Sequence, residues 1–85
     1  MIKEIVIPSS LGKRIRNLPK PVRKKFYWCL GMLIKDENYP SLRHKKIQGT
    51  DAYWEFTITM NYRCVYRKDS DRAFLAEVGK HEDVL

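Results

Sequence analysis

Arg43-His44-Lys45-Lys46 sets four basic side chains in a row, and Arg63, Arg67, Lys80 and His81 follow in the second half of the chain. Lysine and arginine bring fixed positive charge to a phosphate. The planar arginine fork matches two phosphate oxygens and does not lose its proton. Histidine titrates near neutral pH, so His81 can give or take a proton. A lysine inside a positive cluster can have a lowered pKa and act as a base, which applies to Lys45 and Lys46. Glu55 adds a carboxylate as a further candidate base. These residues together can bind a polyanion and move protons at it. Each also has a plainer account. The basic run can be a solvated loop, Arg63 an arginine on a water-facing strand, and His81 part of the polar tail Lys80-His81-Glu82-Asp83. Glu55 can pair with Arg63 or Arg67.

The charge distribution sharpens the first account. The net charge is +7, from 17 Lys and Arg against 10 Asp and Glu. Residues 1–50 hold twelve basic and three acidic side chains, while residues 51–85 hold five and seven. No acid occurs from Ile5 to Lys35. Such asymmetry favours a polyanionic partner or an acidic protein. At 85 residues, 44% hydrophobic and 32% charged, the composition is that of one globular domain, 1–85, not a disordered chain. There is no apolar run long enough to span a membrane, and the N-terminus does not resemble a signal peptide, so the expected location is the cytoplasm. Cys29 and Cys64 lie in separate apolar runs and read as buried free thiols, with no close-spaced pair to hold a metal.

The elements that must position these residues follow from the apolar pattern. Lys3 to Ile7 reads as a short strand stopped by Pro8. Ser9 or Ser10 can cap a helix carrying Leu11, Ile15 and Leu18 on one face. Asn17-Leu18-Pro19-Lys20-Pro21 breaks it, and Pro21 suits the first turn of the next. Val22, Phe26, Cys29, Leu30 and Leu33 make one apolar face of that second helix. Its N-terminus is basic, at Arg23-Lys24-Lys25, against the dipole preference for acids there. Asp36-Glu37-Asn38 ends it ahead of Tyr39-Pro40. Residues 40–52 form a basic loop. Three strands follow: Tyr53 to Thr59, Tyr62 to Lys68 and Ala73 to Gly79. Met60-Asn61 and Asp69-Ser70-Asp71-Arg72 turn the chain between them. Alternation sends Trp54, Phe56, Ile58, Tyr62, Cys64 and Tyr66 to one face. The other face carries Glu55, Thr57, Arg63 and Arg67. The expectation is an α+β fold, β-α-α-β-β-β, with an N-terminal helical hairpin packed on one face of an antiparallel sheet and the other face in water.

This order, with the segments Tyr39-Pro40-Ser41-Leu42-Arg43, Lys45-Lys46-Ile47-Gln48-Gly49, Tyr53-Trp54-Glu55, Tyr62-Arg63-Cys64-Val65-Tyr66 and Glu77-Val78-Gly79-Lys80-His81, resembles the RelE/ParE superfamily of toxins from toxin–antitoxin systems. These segments fall within residues 39–81, about half the chain, and are specific in their order and spacing. The resemblance implies a compact toxin whose substrate meets the open sheet face and which a cognate antitoxin blocks. RelE-like members are metal-free endoribonucleases that cut mRNA in the ribosomal A site, with no cofactor. ParE-like members poison DNA gyrase and lack the RNase residues. Operator DNA is a further partner through the antitoxin complex.

Under that resemblance Arg63 stands where the RNase branch keeps its strand arginine and is the expected phosphate clamp. His81 stands where an acid–base or cationic residue occurs. Lys45 and Lys46 match the basic pair of the family loop, as bases or phosphate ligands. Arg43, His44, Arg67 and Lys80 are the expected RNA-binding residues, and no metal site is expected. One element departs from the RNase pattern. Many RNase members carry a tyrosine a few residues after the position of His81, and this chain ends Glu82-Asp83-Val84-Leu85 without one. That departure keeps two alternatives open beside the endoribonuclease: a gyrase poison, and a RelE fold that binds antitoxin or nucleic acid without cutting.

Overall fold

The computed structural model describes residues 1–84. Strand β1 (Glu4–Val6) leads into a 3-10 turn at Ser9–Leu11, helix α1 (Gly12–Arg16) and helix α2 (Lys20–Lys35). A second 3-10 turn at Pro40–Leu42 precedes β2 (Lys45–Lys46), β3 (Tyr53–Thr59), β4 (Tyr62–Asp69), β5 (Arg72–Lys80) and a closing turn of helix, α3 (His81–Val84). The strands form one sheet in the order β1-β5-β4-β3-β2.

Two features of this sheet differ from the sequence expectation. β1 runs parallel to β5, with Glu4 opposite Arg72 and Val6 opposite Phe74, so the sheet is mixed and not wholly antiparallel. Parallel pairing needs a crossover, and the helical hairpin supplies it. The second difference is β2. Residues read as loop pair with β3, Lys45 opposite Glu55 and Lys46 opposite Trp54. The β4–β5 turn anchors the far edge: the Asp71 carbonyl accepts from the backbone N–H groups of Lys3 at 2.7 Å and Glu4 at 3.3 Å. Ser70, at φ 58°, and Gly49, at φ 84°, take the left-handed backbone that these reversals need.

The helical hairpin forms as its spacing predicts, with changed ends. No serine side chain caps the first helix. Pro8 precedes the 3-10 turn, and the α-helical part is only Gly12–Arg16. α2 starts behind Pro19 with Pro21 in its first turn and no side-chain cap. Its basic opening has a local use. Arg23 Nη1 donates to the Arg16 carbonyl at 2.9 Å, satisfying an acceptor at the α1 C-terminus. α2 buries Phe26, Cys29, Leu30 and Leu33. They meet Leu11, Ile15 and Leu18 from the first helical segment, Leu42 from the following turn, and the inner sheet face: Phe56, Ile58, Cys64, Tyr66, Leu75 and Val78. Full burial of such side chains contributes about 1.5–3 kcal/mol each. This core fixes the inner sheet face and thereby aims the alternate residues outward.

Both cysteines are free and buried. Burial pushes the Cys29 thiol up to about 11 despite the nearby Lys25 ammonium. Burial also raises Cys64, and Cys29 adds to that. Among the described residues no helix is long and apolar enough to cross a membrane.

Candidate nucleic-acid interface

The outer sheet face is assembled by strand register. Thr57 on β3 lies opposite Arg63 on β4, and Glu55 lies opposite Val65. β2 brings Lys45 across from Glu55. β5 ends at Lys80, and the His81 backbone N–H donates to the Asn61 carbonyl at 2.8 Å, which ties the start of α3 to the β3–β4 turn. Arg43, Lys45, Glu55, Thr57, Arg63 and His81 thereby line one open hollow of about 330 Å³. They come from the loop before β2, from β2, β3 and β4, and from the start of α3.

Arg63 is held at the floor of the β3–β4 turn. Its Nη1 donates to the carbonyls of Thr59 at 2.7 Å, Met60 at 2.9 Å and Tyr62 at 3.1 Å. These three bonds orient the guanidinium without using its Nε–Nη2 edge, which is the edge suited to two phosphate oxygens. Glu55 is the buried charge of the site. Its side chain is 4% exposed and its Oε1 lies 3.2 Å from the Lys45 ammonium, itself 68% exposed. The sequence expectation paired Glu55 with Arg63 or Arg67. The partner is Lys45, because β2 pairs with β3 at that position. Among the described residues Glu55 Oε2, which is buried, has no hydrogen-bond partner. A buried carboxylate with one orphaned oxygen can accept a proton or a donor from a neighbour that moves in. His81 is exposed at the rim. The arrangement can hold a phosphate among three cations, with a carboxylate and an imidazole at its edges.

Not every candidate reaches the hollow. Lys46 lies opposite Trp54, so alternation sends it away from Lys45. Arg67 sits at the far end of β4, its guanidinium 4.7 Å from the Phe74 ring and 3.9 Å from Asp69. Lys80 lines a separate hollow with Met60, Asn61 and Tyr62, which His81 borders as well.

His44 departs furthest from its expected place in the basic patch. Its ring stacks on Trp54 at 4.7 Å and 6°, and it shares a hydrogen bond with the Tyr66 hydroxyl. Burial lowers its pKa, with Glu37 opposing and Lys68 assisting. Alternation accounts for the reversal: the extended chain entering β2 puts His44 and Lys46 on the side opposite Lys45. His44 is therefore a neutral packing residue on the helix side and does not extend the outer patch.

Thr57 and Lys25 join the site beyond the residues expected to act there. Thr57 lines the hollow, and Lys25 reaches from α2 to an adjoining one beside Arg43, Thr57 and Arg63. The signal for Lys25 was the basic N-terminus of α2, opposed to the helix dipole.

No family model and no curated protein sequence matches the chain. Solved structures do. The chain is similar to the Escherichia coli DinJ–YafQ toxin–antitoxin complex, at 13% identity over 100% of this chain and 99% of that one, with a TM-score of 0.79. It is also similar to the RelB–RelE antitoxin–toxin complex of Methanococcus jannaschii, at 17% identity over 93% of each chain and a TM-score of 0.74. A YoeB/ParE toxin from Agrobacterium tumefaciens matches at 17% identity, 92% and 98% coverage and a TM-score of 0.72. The element order, the hairpin packed on one sheet face and these likenesses agree: the chain has the fold of the RelE/ParE toxins.

Proposed function

We propose that this chain, a single domain over residues 1–85, is the toxin of a toxin–antitoxin pair. Its activity is that of a metal-free, ribosome-dependent mRNA endoribonuclease that stops translation in the cytoplasm. The observation that supports this reading is the gathering of Arg43, Lys45, Glu55, Arg63 and His81 around one open hollow on the uncovered sheet face. RNA cleavage of this kind needs a base for the 2′-hydroxyl proton, cations for the charge gathering on phosphorus, and an acid for the departing 5′-oxygen. Arg63 and Arg43 hold the phosphate oxygens, and Lys45 stabilises the charge that builds there. His81 exchanges the proton, with Glu55 behind Lys45. The 2′-oxygen bonds to phosphorus as the 5′-oxygen leaves with a proton, giving a 2′,3′-cyclic phosphate and a 5′-hydroxyl. Arg67 and Lys80 serve the flanking backbone as point charges. The partner is a cognate antitoxin, through which the pair can reach operator DNA.

A second reading has its own support. Arg63 Nη1 already serves three carbonyls, and Lys45 is paired with Glu55. These favour a RelE fold that binds without cutting. Pulse labelling after induced expression separates the readings. Amino-acid incorporation should collapse before thymidine incorporation, with growth restored by the co-expressed antitoxin. Unchanged translation alongside DNA-damage signalling would favour the gyrase poison. Unaffected growth with a tight antitoxin complex would favour binding alone.

A further inference from the structure

The hollow does not end at Arg63. Arg43, Thr57 and Arg63 also line a second, adjoining hollow of about 350 Å³, whose far wall is Lys25 of α2 and Ser41. The two make one furrow from His81 across the sheet to the helix. Its second half is lined by the cations Lys25, Arg43 and Arg63, by the hydroxyls of Ser41, Thr57 and Thr59, and by the apolar Ile58 and Met60. At the α2 end the Lys25 ammonium lies 4.1 Å from the centre of the Trp28 ring. Tyr39 meets Trp28 edge-on at 6.0 Å. Both rings are large and open to solvent, Trp28 at 43% and Tyr39 at 38% exposed. Neither belongs to the core that the rest of α2 builds.

We infer that the furrow ends in a base-stacking subsite: single-stranded RNA lying across Arg63 and Arg43 continues past Lys25 and stacks a base on Trp28 and Tyr39. The inference rests on the proposed RNA-binding reading and deepens it. Cations tracking a backbone, followed by exposed aromatic rings, are what a single strand needs, and a stacked base tolerates any sequence. Lys25 serves both halves, as a phosphate ligand in the furrow and as the cation over the indole. The charge of this region favours nucleic acid. No acid occurs between Ile5 and Lys35; Glu37, ahead of Tyr39, is paired with Lys68 and the N-terminal ammonium, Asp36 is the acid that remains near the rings, and among the described residues lining the furrow the one carboxylate, Glu55, is paired with Lys45.

The test uses the full chain and a fluorescein-labelled 2′-O-methyl oligoribonucleotide of about eight nucleotides, which spans such a site and cannot be cut for want of a 2′-hydroxyl. Anisotropy should show Trp28→Leu binding about tenfold more weakly and Trp28→Phe within about threefold of the parent, because the phenyl ring still stacks. Tyr39→Leu should weaken binding in the same direction. Thermal melting of each variant checks the fold, which surface rings barely support. Equal binding by the parent and Trp28→Leu would overturn the subsite. So would an acidic amphipathic peptide that quenches Trp28 while the oligonucleotide leaves its fluorescence unmoved, since the patch would then be a protein-docking face. The assay reads binding only. Trp28-dependent binding without any cleavage in cells would contradict the endoribonuclease and leave the subsite standing.

Discussion

Lys45→Ala tests whether the hollow is built as described, because it strands a buried carboxylate. Glu55 is 3% exposed overall, its Oε1 lies 3.2 Å from Lys45 Nζ, and its Oε2 has no partner among the described residues. Breaking a fully buried pair from one side costs about 3–5 kcal/mol. Lys45 is two-thirds exposed, and water can replace part of what it gives, which brings the expected loss to about 1–2 kcal/mol. For a chain of this size each kcal/mol lowers the melting temperature by about 4–8 °C. The same substitution in a Glu55→Leu background should cost under about 0.5 kcal/mol, since no charge is left to strand. Urea unfolding of the parent, both single variants and the double variant gives the coupling directly. A coupling near or above 1 kcal/mol supports the pair. If Lys45→Ala is neutral in both backgrounds, Glu55 is not held by Lys45, and the floor of the hollow has been misread.

Arg63→Glu should abolish growth arrest while the protein remains folded. The lost bonds to the Thr59, Met60 and Tyr62 carbonyls should cost about 1–3 kcal/mol, so melting must be followed beside toxicity. His44 predicts an acid-sensitive fold. Its folded pKa lies below the ordinary 6.5, so the unfolded chain takes up the proton first. Stability is full above about 6.5, falls as pH drops through the window below it, and stops falling beneath the folded value; His44→Phe should flatten that window in urea titrations. Cys29 and Cys64 should resist a thiol reagent at neutral pH in the native protein and react once it is unfolded, because burial raises both thiols.

Local patterns carried much of the fold. The Phe26, Cys29, Leu30 and Leu33 spacing makes the buried face of α2, and alternation in residues 53–59 and 62–68 sends Phe56, Cys64 and Tyr66 inward. Arg63 and Thr57 are therefore legible as outer-face residues. What the sequence hides is non-local. The parallel pairing of β1 with β5 depends on a crossover, and the two-residue strand at Lys45–Lys46 is too short to have a period. The Glu55–Lys45 pair follows from that register alone. The run Arg43-His44-Lys45-Lys46 reads as one patch because composition is blind to backbone direction, whereas alternation along β2 splits it and places His44 against Trp54 and Tyr66. Lys25 and Trp28 share a helix turn in plain view, but that Lys25 lines one hollow with Arg63 is a tertiary fact.

Primer extension on a reporter mRNA, after induced expression of the parent and of Arg63→Glu, tests the proposed activity most directly. Cuts are expected at codon positions inside the translated frame, with upstream fragments ending in 2′,3′-cyclic phosphate, and none of these with Arg63→Glu. Intact reporter mRNA in cells whose growth the parent has arrested, or unchanged cutting by Arg63→Glu, would contradict it.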